Sequence, residues 1–315
     1  MDLSAFLEPL SELKNCSFCP RNCHADRFSD RLGYCKSDAS FNISSICIHR
    51  GEEPAISGQD GICNIFFTHC NLQCIYCQNH QISKNNLETI STQMELEQVI
   101  NKIAAILKHG IKRVGFVSPS HFIPQMKIII TVIRSLGFNP VWVFNTNGYD
   151  KAETIRSLEG WVDVYLPDFK YMDALLATEY SDASDYPEIA AKALKEMYRQ
   201  KGSSLHLADD QTAESGIIIR HLVLPGQVEN SKKVLRFIAE EISSGLHLSL
   251  MSQYYPTPGV IHHTYLKRGL YLDEYSAVIE EMDHLGMTQG WIQEMESSGH
   301  YQPDFKKDHP FEDQN

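Results

Sequence analysis

The segment FFTHCNLQCIYCQN, residues 66–79, carries three cysteines at C-x3-C-x2-C spacing, namely Cys70, Cys74 and Cys77. The apolar run from Ile62 to His69 predicts a strand, so the cysteines lie on a loop that begins where a strand ends. Three thiolates on one short loop can bind three irons of a [4Fe–4S] cube. The fourth iron then keeps an open position, which is how a metal site accepts a substrate.

Zinc is the alternative metal for these thiols. A structural zinc takes four ligands, and His69 or His80 would supply the fourth. The matching function class is a zinc-stabilised binding or regulatory protein without catalysis. Colour separates the two classes, because an iron–sulfur protein purified without oxygen is brown and a zinc protein is colourless.

Downstream of this loop, short apolar runs alternate with helical periodicity. Five further strands are predicted, beginning at Val114, Val141, Val162, Ile217 and Leu246. Helices are predicted among and after them, at residues 96–107, 123–136, 154–158, 187–200, 231–242 and 272–284. Strands that alternate with helices in this way indicate parallel βαβ units and an α/β fold. Periodicity leaves two closures open, a doubly wound sheet and a full or partial barrel.

Upstream of the loop, the chain is rich in cysteine. All nine cysteines lie at or before Cys77, and four of them fall within 20 residues. This quartet comprises Cys16, Cys19, Cys23 and Cys35. Four thiols so close together predict a second metal site, holding either zinc or a second iron–sulfur cluster. Cys47 and Cys63 are interpreted as small buried hydrophobic residues.

Composition limits the function classes. The net charge of −12, from 40 acidic and 28 basic residues, argues against nucleic acid as a partner. We expect no membrane span, because no apolar run approaches the ~20 residues that one requires. We also expect no signal peptide and a cytoplasmic location. The predicted organisation is a cysteine-rich module at residues 1–55, a β/α domain at 56–292 and a polar tail at 293–315.

The chain resembles the radical S-adenosylmethionine (SAM) superfamily, and within it the PflX-type iron–sulfur proteins related to pyruvate formate-lyase activating enzymes. Besides the cysteine loop, the resemblance rests on residues 16–21 (CSFCPR), 51–83, 118–121 (SPSH), 147–149 (NGY), 165–171 (YLPDFKY), 220–226 (RHLVLPG) and 251–254 (MSQY). It implies a partial (β/α)6 barrel behind an N-terminal cysteine-rich extension. It also implies that SAM chelates the open iron and is cleaved reductively to a 5′-deoxyadenosyl radical, which abstracts hydrogen from a substrate.

The resemblance further implies partners. A low-potential donor such as flavodoxin or ferredoxin would supply the electron, and a glycyl-radical enzyme would be the protein substrate. Radical modification of another protein, a peptide or a small molecule is the alternative.

The resemblance also implies SAM contacts at the strand ends. Asp168 is expected to bind a ribose hydroxyl, while Lys170 meets the SAM carboxylate or pairs with Asp168. Arg220 is a further expected contact, and Tyr76 is expected to face the adenine. The alternatives are an internal salt bridge for the charged residues and core packing for the tyrosine.

The segment Ser118-Pro119-Ser120-His121 stands where many relatives have Gly-Gly-Glu. We expect the backbone of Ser118 and Pro119 to bind the SAM amino group, with Asn147 as another cofactor contact. His121 is a catalytic candidate for acid–base or hydrogen-bonding work at the substrate, and the alternative is a structural histidine.

Overall fold

The computed structural model of the protein describes residues 3–86, 93–295, 302–307 and 309–311, and a 10-stranded sheet forms its centre. The strands are β1 Phe41–His49, β2 Ile62–Phe67, β3 Gln93–Met94, β4 Arg113–Val117, β5 Val141–Thr146, β6 Val164–Pro167, β7 His206–Leu207, β8 Ala213–Leu222, β9 His247–Met251 and β10 Gly290–Ile292. The α-helices are α1 Pro54–Ser57, α2 His80–Ser83, α3 Leu96–Lys108, α4 Ile123–Ser135, α5 Ala152–Arg156, α6 Ala174–Ser181, α7 Tyr186–Lys201, α8 Val228–Ile238 and α9 Leu272–His284.

Strand order decides between the two closures that periodicity leaves open. The sheet runs β10-β9-β8-β6-β5-β4-β2-β1-β3, and the neighbours from β2 to β10 are parallel. A doubly wound sheet reverses its strand order at a switch point. Here the order of the parallel strands follows the chain without reversal, so right-handed crossovers place the helices on one face. This is the topology of a barrel that stays open, as predicted.

The two faces of the sheet pack differently. On the outer face, the long helices bury an extended apolar cluster that includes Ile103, Ile129 and Val234. On the inner face, a smaller cluster joins Ile56 of α1 to Val143 and Ile218. The short helix α1 therefore fills one end of the barrel interior, below the strand ends that carry the cysteine loop.

The six predicted strands are confirmed as β2, β4, β5, β6, β8 and β9. The sheet extends beyond them at both edges, because β10 adds a parallel strand beside β9 and β1 pairs antiparallel with β2. Helix α8 begins at Val228, earlier than predicted, and Ser231 is buried inside it with its Oγ 2.9 Å from His221 Nε2.

The ends of the chain contact the sheet. Within the predicted module 1–55, Phe41–His49 is strand β1 of the sheet. Of the predicted tail 293–315, residues 296–301, 308 and 312–315 lie outside the described residues. In the described part, Phe305 is buried against Phe66, with 5.2 Å between ring centroids. The domain boundaries remain predictions. Among the helices of the described ranges, none is long and apolar enough to cross a membrane.

Candidate functional site

A cavity of about 470 Å³ lies inside the open barrel. The loop that follows β2 brings Cys70, Cys74 and Cys77 to its wall. The ends of β4, β5, β6 and β8 contribute polar residues to the same cavity, namely Ser118, Asn145, Asn147, Asp168, Lys170 and Arg220. Parallel strands thus converge their carboxyl ends on one chamber, which is where ligands bind in folds of this kind.

Each cysteine of the triad accepts a hydrogen bond from a different part of the fold. Asn147 Nδ2 lies 3.3 Å from Cys70 Sγ at the end of β5. Ser181 Oγ in α6 donates to Cys74 Sγ over 3.0 Å, and Ser83 Oγ in α2 donates to Cys77 Sγ over 3.2 Å. Donors aimed at sulfur stabilise negative charge there, so the surroundings of the triad suit thiolates better than thiols.

The Cys74 thiol ends a chain of hydroxyl groups. Tyr76 and Tyr171 share a hydrogen bond of 2.6 Å between their hydroxyls, and Tyr171 is 2.7 Å from Ser181 Oγ. Tyr76 is buried and lines the cavity, where it packs near Tyr254. The expected contact with adenine stays a prediction, and the structure adds that the Tyr76 hydroxyl supports a ligand thiol.

Burial governs the protonation of the triad without metal. Desolvation, reinforced by the neighbouring thiols, raises the pKa of Cys70 to about 12. Desolvation likewise raises the pKa of Cys74 to about 11 and also raises that of Cys77. The metal-free thiols are therefore protonated at neutral pH, and iron must displace these protons when it binds.

The donor set of this loop fits a [4Fe–4S] cluster. Across the described ranges, no three His, Cys, Asp or Glu side chains are gathered closely enough to bind one ion. A cube does not need that closeness, because each thiolate binds a different iron. The three thiols are unpaired, share one cavity and each have a hydrogen-bond donor. Neither His69 nor His80 completes a single-ion site with them, so the zinc alternative has no assembled ligand group here.

A charged network crosses the cavity beside the triad. Asp168 Oδ1 accepts from Arg220 Nε over 2.8 Å, and Asp168 Oδ2 accepts from Lys170 Nζ over 2.6 Å. Burial alone would raise the pKa of Asp168, but the two cations lower it below its ordinary value. Burial opposes the charge on Lys170, yet Asp168 and the Cys74 thiol keep the pKa of Lys170 raised. The expected SAM contacts and the alternative internal salt bridge are thus the same residues.

Two acidic residues join this network from the turn after β1. Glu52 Oε2 accepts from Arg220 Nη1 over 3.2 Å, and Glu52 Oε1 accepts from Asn64 Nδ2 over 2.8 Å. Glu53 is 9% exposed and also lines the cavity. Sequence reasoning did not select either residue, and the signal for them was the adjacent pair of acids at Glu52-Glu53-Pro54 in front of an apolar segment.

The segment after β4 contributes less than expected. Ser118 lines the cavity with a left-handed backbone, φ 51°, and its amide donates to Asn145 O over 2.8 Å. Pro119 and His121 are absent from the cavity wall formed by the described residues. His121 is 1% exposed with Nε2 3.0 Å from Thr68 O, and burial lowers its pKa to about 3. These contacts are those of a structural histidine, so we do not carry His121 forward as a catalytic residue.

The N-terminal quartet lies beside the cysteine loop. Cys16, Cys19 and Cys35 are buried, and Cys23 is exposed. Burial raises the pKa of Cys19 to about 12, with a further contribution from the other three thiols, so all four are neighbours. They do not form a compact ligand group for one ion among the residues described. Metal binding by this quartet therefore stays a prediction.

One arginine links the quartet to the triad. Arg21 lies between Cys19 and Cys23 in sequence, and its Nε donates to the carbonyl of Asn71 over 2.8 Å. Its guanidinium stacks 3.8 Å from the ring centroid of Tyr34. Because Asn71 follows Cys70 directly, the N-terminal segment braces the loop that carries the triad.

Comparison with known proteins agrees with this site. Residues 56–190 match the family described as a 4Fe-4S single cluster domain. The chain is 29% identical over 271 residues to the uncharacterized protein MJ0674 of Methanocaldococcus jannaschii, covering 85% of this chain and 74% of that protein.

Solved structures resemble the chain more distantly. SuiB of Streptococcus suis, bound to its precursor peptide SuiA, has 13% identity and a TM-score of 0.49 over 72% of this chain. This chain spans 47% of that protein, about half its length. The enzyme anSMEcpe with bound AdoMet has 13% identity and a TM-score of 0.49 over 76% of this chain and 62% of its own. A domain of the pyruvate-formate lyase-activating enzyme of Bacteroides vulgatus has 14% identity and a TM-score of 0.38, over 55% of this chain and 93% of its own.

Proposed function

We propose that this chain, which its matched 4Fe–4S domain and its cysteine triad assign to the radical SAM superfamily, cleaves SAM reductively to start hydrogen abstraction from a substrate. Cys70, Cys74 and Cys77 would hold a [4Fe–4S] cluster. When bound, the cluster supplies one electron to SAM, whose sulfur–carbon bond breaks to give methionine and a 5′-deoxyadenosyl radical. The observation that carries the proposal is the convergence of the triad and the charged network on one cavity.

The protein's part in this reaction is binding and orientation. Asp168 has further lone pairs besides those used by Lys170 and Arg220, so it can accept from the ribose hydroxyls of SAM. Lys170 lies near the Cys74 thiol and can meet the SAM carboxylate. Asn145, Asn147 and the backbone at Ser118 supply neutral polar groups. Inside a buried chamber, charges held in this way act more strongly than in water.

The electron donor and the substrate belong to the same proposal. A low-potential protein such as flavodoxin or ferredoxin would reduce the cluster. A glycyl-radical enzyme is one substrate, reached through the side on which the described sheet stays open between β3 and β10. Another protein, a peptide or a small molecule is the alternative substrate class. We also propose a cytoplasmic location, since nine unpaired thiols suit a reducing compartment.

The direct test is product formation. The protein is reconstituted with iron and sulfide without oxygen, reduced with dithionite and incubated with SAM, and 5′-deoxyadenosine is quantified by chromatography. We expect product from the parent protein and from Cys47→Ala, which removes a buried cysteine outside the triad. Cys74→Ala should yield none. Equal product from Cys74→Ala, or none from a parent protein that holds its full iron, would refute the proposal.

A further inference from the structure

The inner end of the cavity holds two buried polar atoms without partners. Glu53 and His49 are 9% and 7% exposed, and both line the cavity. Within the described part of the chain, Glu53 Oε2 and His49 Nδ1 have no hydrogen-bond partner. A buried polar group left unpaired costs about 1–3 kcal/mol, so such an atom facing a cavity indicates a ligand.

The charges around this end do not balance. The network contains two cations, Arg220 and Lys170, and two carboxylates, Asp168 and Glu52. Arg220 directs Nε at Asp168, Nη1 at Glu52 and Nη2 at Asn145, while Lys170 directs Nζ at Asp168.

Glu53 is a third carboxylate beside this balanced set. Ser249 donates a hydrogen bond to it, and burial raises its pKa. His49 does not supply the missing cation, because burial lowers its pKa to about 4 and leaves the ring neutral at neutral pH. One positive charge from outside the protein would complete the set.

This end of the cavity lies away from the cysteine triad. His49 pairs with Ile62, the first residue of β2, whereas the triad follows Phe67, the last residue of that strand. Five residue steps along a strand span about 17 Å. The wall around the inner end is apolar, with Phe66, Leu222 and Trp291. A SAM amino group bound near the triad would not reach Glu53.

We propose that Glu53 and His49 form a subsite that binds a primary ammonium group at the end of an apolar chain. The substrate class is therefore an alkylamine, either free or as a lysine-type side chain of a peptide. The apolar stem contacts the wall, and the ammonium donates to Glu53 Oε2 and His49 Nδ1. This inference rests on the proposed function, since it names the substrate class of the same cavity.

Calorimetric titration of the reconstituted protein with n-pentylamine, n-pentanol and pentanoate tests the subsite. These probes share an apolar chain and differ in the charge at its end. We expect the parent protein to prefer pentylammonium to pentanol by about 10- to 100-fold, the effect of one charge-assisted hydrogen bond. Glu53→Gln should abolish this preference. The exposed acid Glu214 provides the control, and Glu214→Gln should keep the preference within about twofold.

Each other outcome overturns the subsite. No preference for the amine in the parent protein contradicts it, and that comparison holds even where Glu53→Gln does not fold. A Glu53→Gln protein that folds and keeps the preference also contradicts it, as does one that loses SAM affinity while binding pentylamine unchanged. Because the titration does not require SAM cleavage, a protein that prefers the amine but forms no 5′-deoxyadenosine overturns the proposed function alone.

Discussion

At the scale of single residues, the hydroxyl of Ser181 gives the clearest handle on the triad. It donates to Cys74 Sγ over 3.0 Å, and its replacement by alanine removes one donor without adding volume. A donor to sulfur stabilises the extra electron of a reduced cluster. We predict that Ser181→Ala makes the reduction potential more negative by about 20–60 mV, equivalent to a hydrogen bond of about 0.5–1.5 kcal/mol.

A redox titration followed by electron paramagnetic resonance measures this shift. Ser244→Ala, at an exposed serine outside the cavity, is the control and should leave the potential in place. An unchanged potential in Ser181→Ala would mean that the Ser181 hydroxyl does not act on a cluster.

Asp168 is the residue on which SAM binding and folding both depend. Asp168→Ala removes the partner of two buried cations and an expected ribose contact. We predict that SAM affinity falls about 10- to 150-fold, and that the free energy of unfolding falls by about 3–5 kcal/mol because a buried pair is broken. SAM titration against the reduced cluster and urea unfolding check the two effects. Asp209→Ala, at an exposed acid, should change neither, and SAM affinity equal to the parent's in Asp168→Ala would leave Asp168 a purely structural role.

The residues of the site differ in how readily sequence predicts them. The triad was predicted because its spacing lies on one loop, and Asp168 and Lys170 because they follow a recognisable strand. Glu52 and Glu53 were missed because they belong to a turn whose flanking strand β1 was not predicted. His121 was a candidate by its position after β4, yet its side chain turns to Thr68 and away from the cavity.

At the scale of elements, Glu274 ties helix α9 to the loop after β8. Its carboxylate accepts from the Gly226 amide over 2.7 Å and from the Tyr271 amide over 3.0 Å, and it forms an ion pair with Arg268. The hydrogen bond from Arg268 is the largest cause that lowers the pKa of Glu274, from 4.5 to about 2. This stabilisation is full above about pH 4.5 and is lost as the pH falls toward 2.

We therefore predict that Glu274→Gln lowers the free energy of unfolding by about 1–3 kcal/mol at neutral pH, and by less at acidic pH. Urea unfolding of parent and variant from pH 7 to pH 3 gives the difference at each pH. Glu280→Gln, at an exposed acid in α9, should show no such pH dependence. A Glu274→Gln difference that stays constant or grows toward low pH would contradict the assignment.

The N-terminal segment is the element whose chemistry is least defined by its fold. Its quartet is gathered around Cys19, and its Arg21 reaches the carbonyl next to Cys70. We predict that Cys19→Ser removes a metal distinct from the cluster and lowers the melting temperature more than it lowers SAM cleavage. Metal analysis of the purified variant decides this. Metal content equal to the parent's would show that Cys16, Cys19, Cys23 and Cys35 do not form a site.

The strands show which elements a single sequence reveals. The central parallel strands were predicted because both of their faces are buried, which gives continuous apolar runs such as Val114 to Val117. Strand β10 is three residues long and is defined by pairing with β9, so no local pattern marks it. Strand β1 alternates serine with apolar residues and gains its place through β2.

At the scale of the whole molecule, the open barrel explains why one chamber can hold both a cluster and a substrate. Sequential strand order curls the sheet, and α1 fills the inner end below Glu53. Between that end and the cysteine loop lies a cavity of about 470 Å³ with charged groups along its wall. Sequence could predict the parallel strands but not this chamber, because its inner end depends on how β1 and α1 fold back under the sheet.

The central claim is that Cys70, Cys74 and Cys77 hold a [4Fe–4S] cluster with an iron open to SAM. Electron paramagnetic resonance of the reduced, reconstituted protein before and after addition of SAM tests it most directly. We predict a signal from a reduced [4Fe–4S] cluster that changes shape when SAM is added, in the parent protein and in Cys47→Ala, and that is lost in Cys74→Ala. A signal that SAM leaves unchanged, or one of full intensity in Cys74→Ala, would contradict the account.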